Sequence, residues 1–366
     1  MILPRENPTR IAFTGWNPFQ FRHVKNIAKR LPGAFFLVED RRNGNLEAFP
    51  DAFFYDAEHP VLVVKKGRLA RLEDHFDVFV TQVVFPSIQQ ITRSSIVMLQ
   101  YGYAKEPHNY GIWRSLADVN ITYGPYASEK IGRYTPVAGC GNPEADDWED
   151  PLFHRTCRER YAGLLDPSRQ TVLYAPTWGN LSSVDLYLES VLALRGRYNV
   201  LIKMHHNTDL LEDRGARMRA LENVHVFGAN ENIYSLLSVS DLMISDYSGA
   251  IFDGFYCRRP IVLLDIPSAL ESAKIDESSL ELTQRERLGC VVSSPEGLDR
   301  LEQLAEEAKS RVGGELWDRL FAPCSGDNAG KAAQVILDAA AGRYALSGEQ
   351  MRQREIARRM DYKEFK

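Results

Sequence analysis

The chain is poor in cysteine, with five among 366 residues, at positions 140, 157, 257, 290 and 324. No two stand in the C-x-x-C spacing of a zinc or redox site, and an odd number does not make a disulfide framework. Buried free thiols in a reducing cytoplasm are expected. Positive charge is also short: 44 Lys and Arg against 49 Asp and Glu leave −5, which argues against a general nucleic-acid binder. No apolar run reaches membrane-spanning length, and the opening MILPRENPTRIAFTGW has no signal-peptide core. The sequence therefore reads as a cytoplasmic protein, at most peripheral to a membrane. Repeats and low-complexity segments are absent as well.

What is present is alternation. RIAFTGW reads as a strand, and FRHVKNIAKRL as a helix with its apolar positions on one face. AFFLVED, FDVFVTQ, SSIVMLQYG, DVNITYG and TPVAGCG read as further strands. A second series then begins, with TVLYAPTWG, YNVLIKMHH, VHVFG, DLMISD, PIVLLD and CVVSS as strands between helical stretches. The length suits two domains, and the order predicts an α/β protein with two parallel sheets, each with helices on both faces. The expected boundaries are 1–160, 161–340 and a charged helical tail at 341–366, which either docks on the first domain or stays solvated.

In open α/β sheets ligands gather outside the carboxyl ends of the strands, so the polar residues there carry the chemistry. ISDYSGAIFDGF places Ser245, Asp246, Tyr247, Ser248 and Gly249 at a strand-to-helix turn. A helix beginning near Ser248 presents unpaired amides and hydroxyls, a cradle for phosphate; equally, Ser248 is a plain N-cap. Asp246 would repel a phosphate, so it either caps backbone amides or accepts from a hydroxyl. Alternation along LIKMHH puts Lys203 and His205 on one side as the strand exits. There they offer a cation and a proton donor to a leaving phosphate, or else an edge lysine and a satisfied histidine. In the first half, LQYGYAKEPHNYGIW gathers Tyr101, Lys105, Glu106, His108 and Tyr110. Such a loop suits a polar acceptor with a general base, and suits a surface turn as well. Asp146 and Asp147 are adjacent, not the spaced carboxylate pair that holds a divalent metal, and read as a solvated turn.

VLYAPTWGN, IKMHH, ISDYSGAIFDGFYCRRPIVLLD, VAGCGNPEAD and SGDNAGKAAQVI together resemble the CDP-glycerol glycerophosphotransferase family, enzymes of teichoic-acid-type polymers. The resemblance implies a GT-B fold, two Rossmann-like doubly wound domains facing an interdomain cleft, with a CDP-linked donor on the C-terminal one. It implies transfer of glycerol phosphate or a related polyol phosphate to a polymer or lipid-linked acceptor at the inner face of the membrane, without metal or cofactor. It assigns His205 to the donor phosphates and Ser245, Asp246, Ser248 and Gly249 to the donor-binding turn, and Thr177, Trp178 and Lys203, at neighbouring strand ends, are expected to bind the donor with them. Two departures stand out. The second serine of the family turn is Gly249 here, and the family's first-domain His-Gly is Tyr101-Gly102. Tyrosine is a poor base near neutrality. Either His108 or Glu106 supplies the base, with Tyr101, Lys105 and Tyr110 binding the acceptor, or the reaction differs. The alternatives are sugar transfer by the same fold, sugar-nucleotide epimerisation, or binding without catalysis.

Overall fold

Short runs such as IAFTG and TVLYA are mostly apolar and buried throughout because both of their faces are covered, as parallel strands require. The computed structural model describes residues 9–41, 59–267, 269–272, 274–321 and 326–365. Its first sheet comprises β1 (Ile11–Gly15), β2 (Phe35–Asp40), β3 (Val61–Lys65), β4 (Val78–Thr81), β5 (Ser95–Leu99), β6 (Val119–Thr122) and β7 (Val137–Gly139). The second comprises β8 (Thr171–Ala175), β9 (Asn199–Lys203), β10 (His225–Phe227), β11 (Leu242–Ser245), β12 (Ile261–Leu264) and β13 (Cys290–Val292). The spatial orders are β3-β2-β1-β4-β5-β6-β7 and β10-β9-β8-β11-β12-β13, parallel throughout. Both are Rossmann orders, and both reverse direction next to their first strand. The switch points are β1/β4 and β8/β11.

Contacts divide the chain into two compact units. One holds the residues up to Tyr101, Tyr110–Asp146 and those from Leu320 onward; the other holds Gly102–Asn109 and Asp147–Arg319. This division differs from the expected 1–160, 161–340 and 341–366. The helix Asn328–Ala340 buries Ala329, Ala332, Val335, Ile336 and Ala339 in the first core, with strand residues Val78, Val97 and Val119. Its start is held by Asp146, whose carboxylate accepts from the Asn328 and Ala329 amides at 3.1 and 2.7 Å. Asp146 is therefore a helix cap and not a solvated turn.

The tail takes the docked alternative. Its helix, Gly348–Arg359, opens with a capping box between Ser347 and Gln350. Arg354 donates to Ser115 O and Asp118, and Ala357 and Phe365 are buried in the first unit with Trp113 and Leu116. Among the described residues no helix is long and apolar enough to cross a membrane. Cys140, Cys157, Cys257 and Cys290 are buried and free, while Cys324 lies outside the described residues.

Candidate functional site

The β8/β11 switch point is built around a carboxylate. Asp246 follows β11 and is wholly buried; its oxygens accept from Thr177 N at 2.9 Å and from Ser183 N and Oγ, both at 2.8 Å. Burial pushes its pKa up, against the pull of those donors. Of its two expected roles, Asp246 fills the capping one: it ties the loop after β8 to the end of β11. Ser245 is likewise committed, donating Oγ–H to Ala175 O at 2.7 Å, and its side chain is buried. Arg285 closes the far side, donating to Asp265 at 2.8 Å, to Asp246 O at 3.0 Å and to Leu264 O at 2.7 Å.

The loop after β8 turns at Gly179, whose φ of +68° suits glycine. Its amide donates to Glu212 at 2.8 Å, and its carbonyl accepts from Arg214 at 2.9 Å. With the peptide held at both ends, Trp178 becomes a fixed wall. The imidazole of His205 stacks beside it, with centroids 6.0 Å apart, and the Lys274 ammonium lies 3.5 Å above its ring centroid.

Three lysines converge on this wall. Lys203, ending β9, donates to Met204 O and Gly228 O, both at 2.9 Å. Lys105 reaches Thr177 Oγ at 3.4 Å from the segment Gly102–Asn109. It adopts φ +61°, and its amide donates to Glu281 at 2.7 Å. His205 is the N-cap of His206–Leu211: its Nδ1 accepts from Asn207 N at 3.1 Å, which leaves Nε2 to carry the proton of the neutral ring. Burial holds His205 well below its ordinary pKa of 6.5, and the charges of His206, Lys105, Lys203 and Lys274 lower it further. Burial also lowers Lys105 and Lys274. Cations held in a desolvated site in this way gain on meeting an anion.

The cradle expected at the following helix is weaker. Ala250–Tyr256 is seven residues long, and its first amides are already used. Ala250 N donates to Ser248 Oγ at 3.3 Å, Ile251 N to Ser248 O at 3.2 Å and Phe252 N to Gly249 O at 3.1 Å. The N-cap residue is Gly249 and not Ser248, whose hydroxyl only accepts from the Ala250 amide. Gly249 is exposed; a Cβ there would meet only Ala104, at 3.9 Å.

The first-half loop is split between the units. Tyr101 and Tyr110 belong to the first, Lys105, Glu106 and His108 to the second. Tyr110 is a core residue edge-on to Tyr126, 6.4 Å between centroids. Burial pushes the Tyr101 phenol up to about 12. Glu106 is buried and His108 exposed on the short helix Glu106–Asn109. Lys105 instead joins the lysines at the switch point. Lys274, Glu281 and Arg285 went unnoticed in the sequence because they come from the loop and two four-residue helices after β12 and form no motif. Glu281 is fully buried, and burial lifts its pKa to about 7. Among the described residues no group of three or more His, Cys, Asp or Glu could hold a metal ion.

Residues 137–266 match the model of the CDP-glycerol:poly(glycerophosphate) glycerophosphotransferase family. The resemblance read from the motifs therefore holds, and the matched stretch contains Trp178, Lys203, His205, Asp246 and Gly249. The teichoic acid poly(glycerol phosphate) polymerase of Staphylococcus epidermidis is 27% identical over 192 residues, covering 48% of this chain and 25% of the relative. That of Bacillus subtilis is 32% identical over 108 residues, 26% of this chain and 14% of the relative. The chain thus spans a quarter or less of the length of these two relatives. Among solved structures, the wall teichoic acid polymerase TagF superposes with a TM-score of 0.66 at 16% identity, covering 92% of this chain and 90% of that one. A UDP-GlcNAc 2-epimerase from Neisseria meningitidis reaches 0.60 at 11% identity over 90% of this chain and 100% of its own. At such identities the likeness shows the fold, which is of the GT-B type.

Proposed function

We propose that this chain transfers glycerol phosphate, or a related polyol phosphate, from a CDP-activated donor to a hydroxyl of a polymer or lipid-linked acceptor. The observation that carries the proposal is the gathering of Lys105, Lys203 and Lys274 around a neutral His205 at the β8/β11 switch point, within a stretch that matches the glycerophosphotransferase model. The acceptor oxygen attacks the distal phosphorus, and CMP departs with the electron pair. The lysines and the Nε2–H of His205 stabilise the charge that develops on it. No divalent metal takes part, so EDTA leaves turnover unchanged. The chain works at the inner face of the membrane, where a lipid-linked acceptor is presented. Exposed Arg359 and Lys363 of the tail are the residues that meet anionic headgroups, and flotation on anionic vesicles tests this against an Arg359→Glu/Lys363→Glu variant.

The deciding experiment is chromatographic identification of the nucleotide released from CDP-glycerol, beside a thermal-shift screen of CDP-, CMP-, UDP- and GDP-linked compounds. CMP release that requires acceptor supports the proposal. A specific observation favours a second reading, sugar transfer from a nucleotide-sugar: Tyr101, with its phenol held near 12, stands where the resemblance calls for a base. Acceptor-dependent release of a nucleoside diphosphate from a nucleotide-sugar, with no CMP from CDP-glycerol, would establish that reading and overturn the first.

A further inference from the structure

Beside the three lysines of the second unit stands a carboxyl that the proposed chemistry leaves unused. Glu281 lies on the short helix Leu280–Thr283 and is fully buried. Its Oε1 accepts from the Lys105 amide at 2.7 Å, while Oε2 is covered and has no hydrogen-bond partner among the described residues. The Lys105 carbonyl is held as well, accepting from the His108 and Asn109 amides at 2.9 and 3.2 Å. Lys105 itself stands at φ +61°, a left-handed conformation that a residue with a side chain keeps only where its surroundings impose it. The backbone fixed in this way sends Nζ to Thr177 Oγ, 3.4 Å away. A buried carboxyl with one oxygen unpaired is tolerable as the neutral acid and costly as the ion.

We infer that Glu281 is a positioning residue of the donor site, whose single proton decides whether Lys105 serves the donor or Glu281 itself; this rests on the transferase reading above. While Oε2 carries the proton, Oε1 accepts from the Lys105 amide and the ammonium is free to meet a donor phosphate. Once that proton has passed to water, the bare carboxylate competes with the phosphate: its Oε2 draws in the ammonium, and the trio loses a member. Burial raises the carboxyl to about 7; its own amide and the amide and ammonium of Lys105 pull it down, and Glu106 pushes it up. On the Lys105 side, burial lowers the ammonium, Glu281 and Asp246 raise it, and Lys274 lowers it. Arg285, four residues beyond Glu281, is spent on Asp265, Asp246 O and Leu264 O. An anion arriving at Lys105 favours the protonated acid, so the donor enters with uptake of a proton, and its binding weakens as pH rises through 7.

Calorimetry with CDP-glycerol, whose phosphates stay ionised from pH 6 to 8, reads this coupling. His205, held well below its ordinary value, stays neutral over that window. In wild type, Kd should rise about tenfold between pH 6 and pH 8. Glu281→Gln keeps an oxygen for the Lys105 amide but cannot ionise, and should bind at pH 8 as wild type binds at pH 6. A glutamine variant whose affinity falls with pH as steeply as that of wild type overturns the inference. One that binds weakly at every pH does so too, since the donor would then need the carboxylate. Where Glu281→Gln does not fold, Lys105→Met decides: weaker binding at pH 6 with no further fall by pH 8 supports the inference, and the wild-type slope overturns it. A wild type that binds CDP-glycerol equally at both pH values overturns the role of Glu281 and leaves the transferase reading standing. Binding at neither pH sinks that reading, and the role of Glu281 falls with it.

Discussion

Because Nδ1 of His205 is occupied by the Asn207 amide, replacing the residue with alanine removes a cap as well as the proposed donor to phosphate. Asparagine caps helices well, so His205→Asn should separate the two roles. Its melting temperature stays near wild type, while His205→Ala costs about 1 kcal/mol, and CMP release falls steeply in both. Glu281 gives a prediction of opposite pH sense. Its carboxyl titrates near 7 in the folded chain against a reference of 4.5, so the folded state holds a proton that the unfolded chain releases. The stability it contributes is complete below about 4.5 and is lost as pH rises through 7. Glu281→Gln should therefore raise the denaturation midpoint at pH 8, by a gain on the order of 3 kcal/mol, and leave it unchanged at pH 4. The buried histidines act from the other side. His23 and His205 both lie below 6.5, so they cost stability only as pH falls beneath that value, where the unfolded chain takes up protons that the folded one refuses.

At the scale of elements, the turn after β8 is the most constrained piece of the site. Gly179→Ala meets a left-handed backbone and should cost about 1–2 kcal/mol. It also loosens Trp178, which weakens donor binding as read by calorimetry. Gly249→Ser is the contrasting case: with φ −58° and only Ala104 nearby, the substitution should leave the melting temperature unchanged. The sequence made these elements readable to different degrees. Buried parallel strands such as β1, β8 and β11 announce themselves as unbroken apolar runs between turns. β3 did not, since it lies at the sheet edge with Leu62 and Val63 about half exposed. Lys203 and His205 were legible because they sit at a strand exit. The true use of Asp246 was only half legible, because its partners Thr177 and Ser183 are more than sixty residues away. The partners of Lys105 were hidden for the same reason: nothing local in KEPHN says that its amide is held by Glu281.

Across the whole molecule, the tail is part of the first unit's core and not an appendage. Ending the chain at 346 would uncover the surface that Ala357 and Phe365 bury and leave Asp118 without Arg354. Such a truncation should lose about 2 kcal/mol or more, read as an earlier chemical-denaturation midpoint, whereas Arg359→Glu should leave the midpoint in place. The division of the chain also bears on how it can be cut. Both units are sequence-discontinuous, and the eight residues Gly102–Asn109 belong to the second although they interrupt the first. An expression clone of 147–319 would encode the whole second sheet yet omit Lys105, leaving Glu281 without the Lys105 amide and the lysine trio one short. Surgery at a single linker therefore cannot yield a complete second unit; a transplant must carry that short excursion with it.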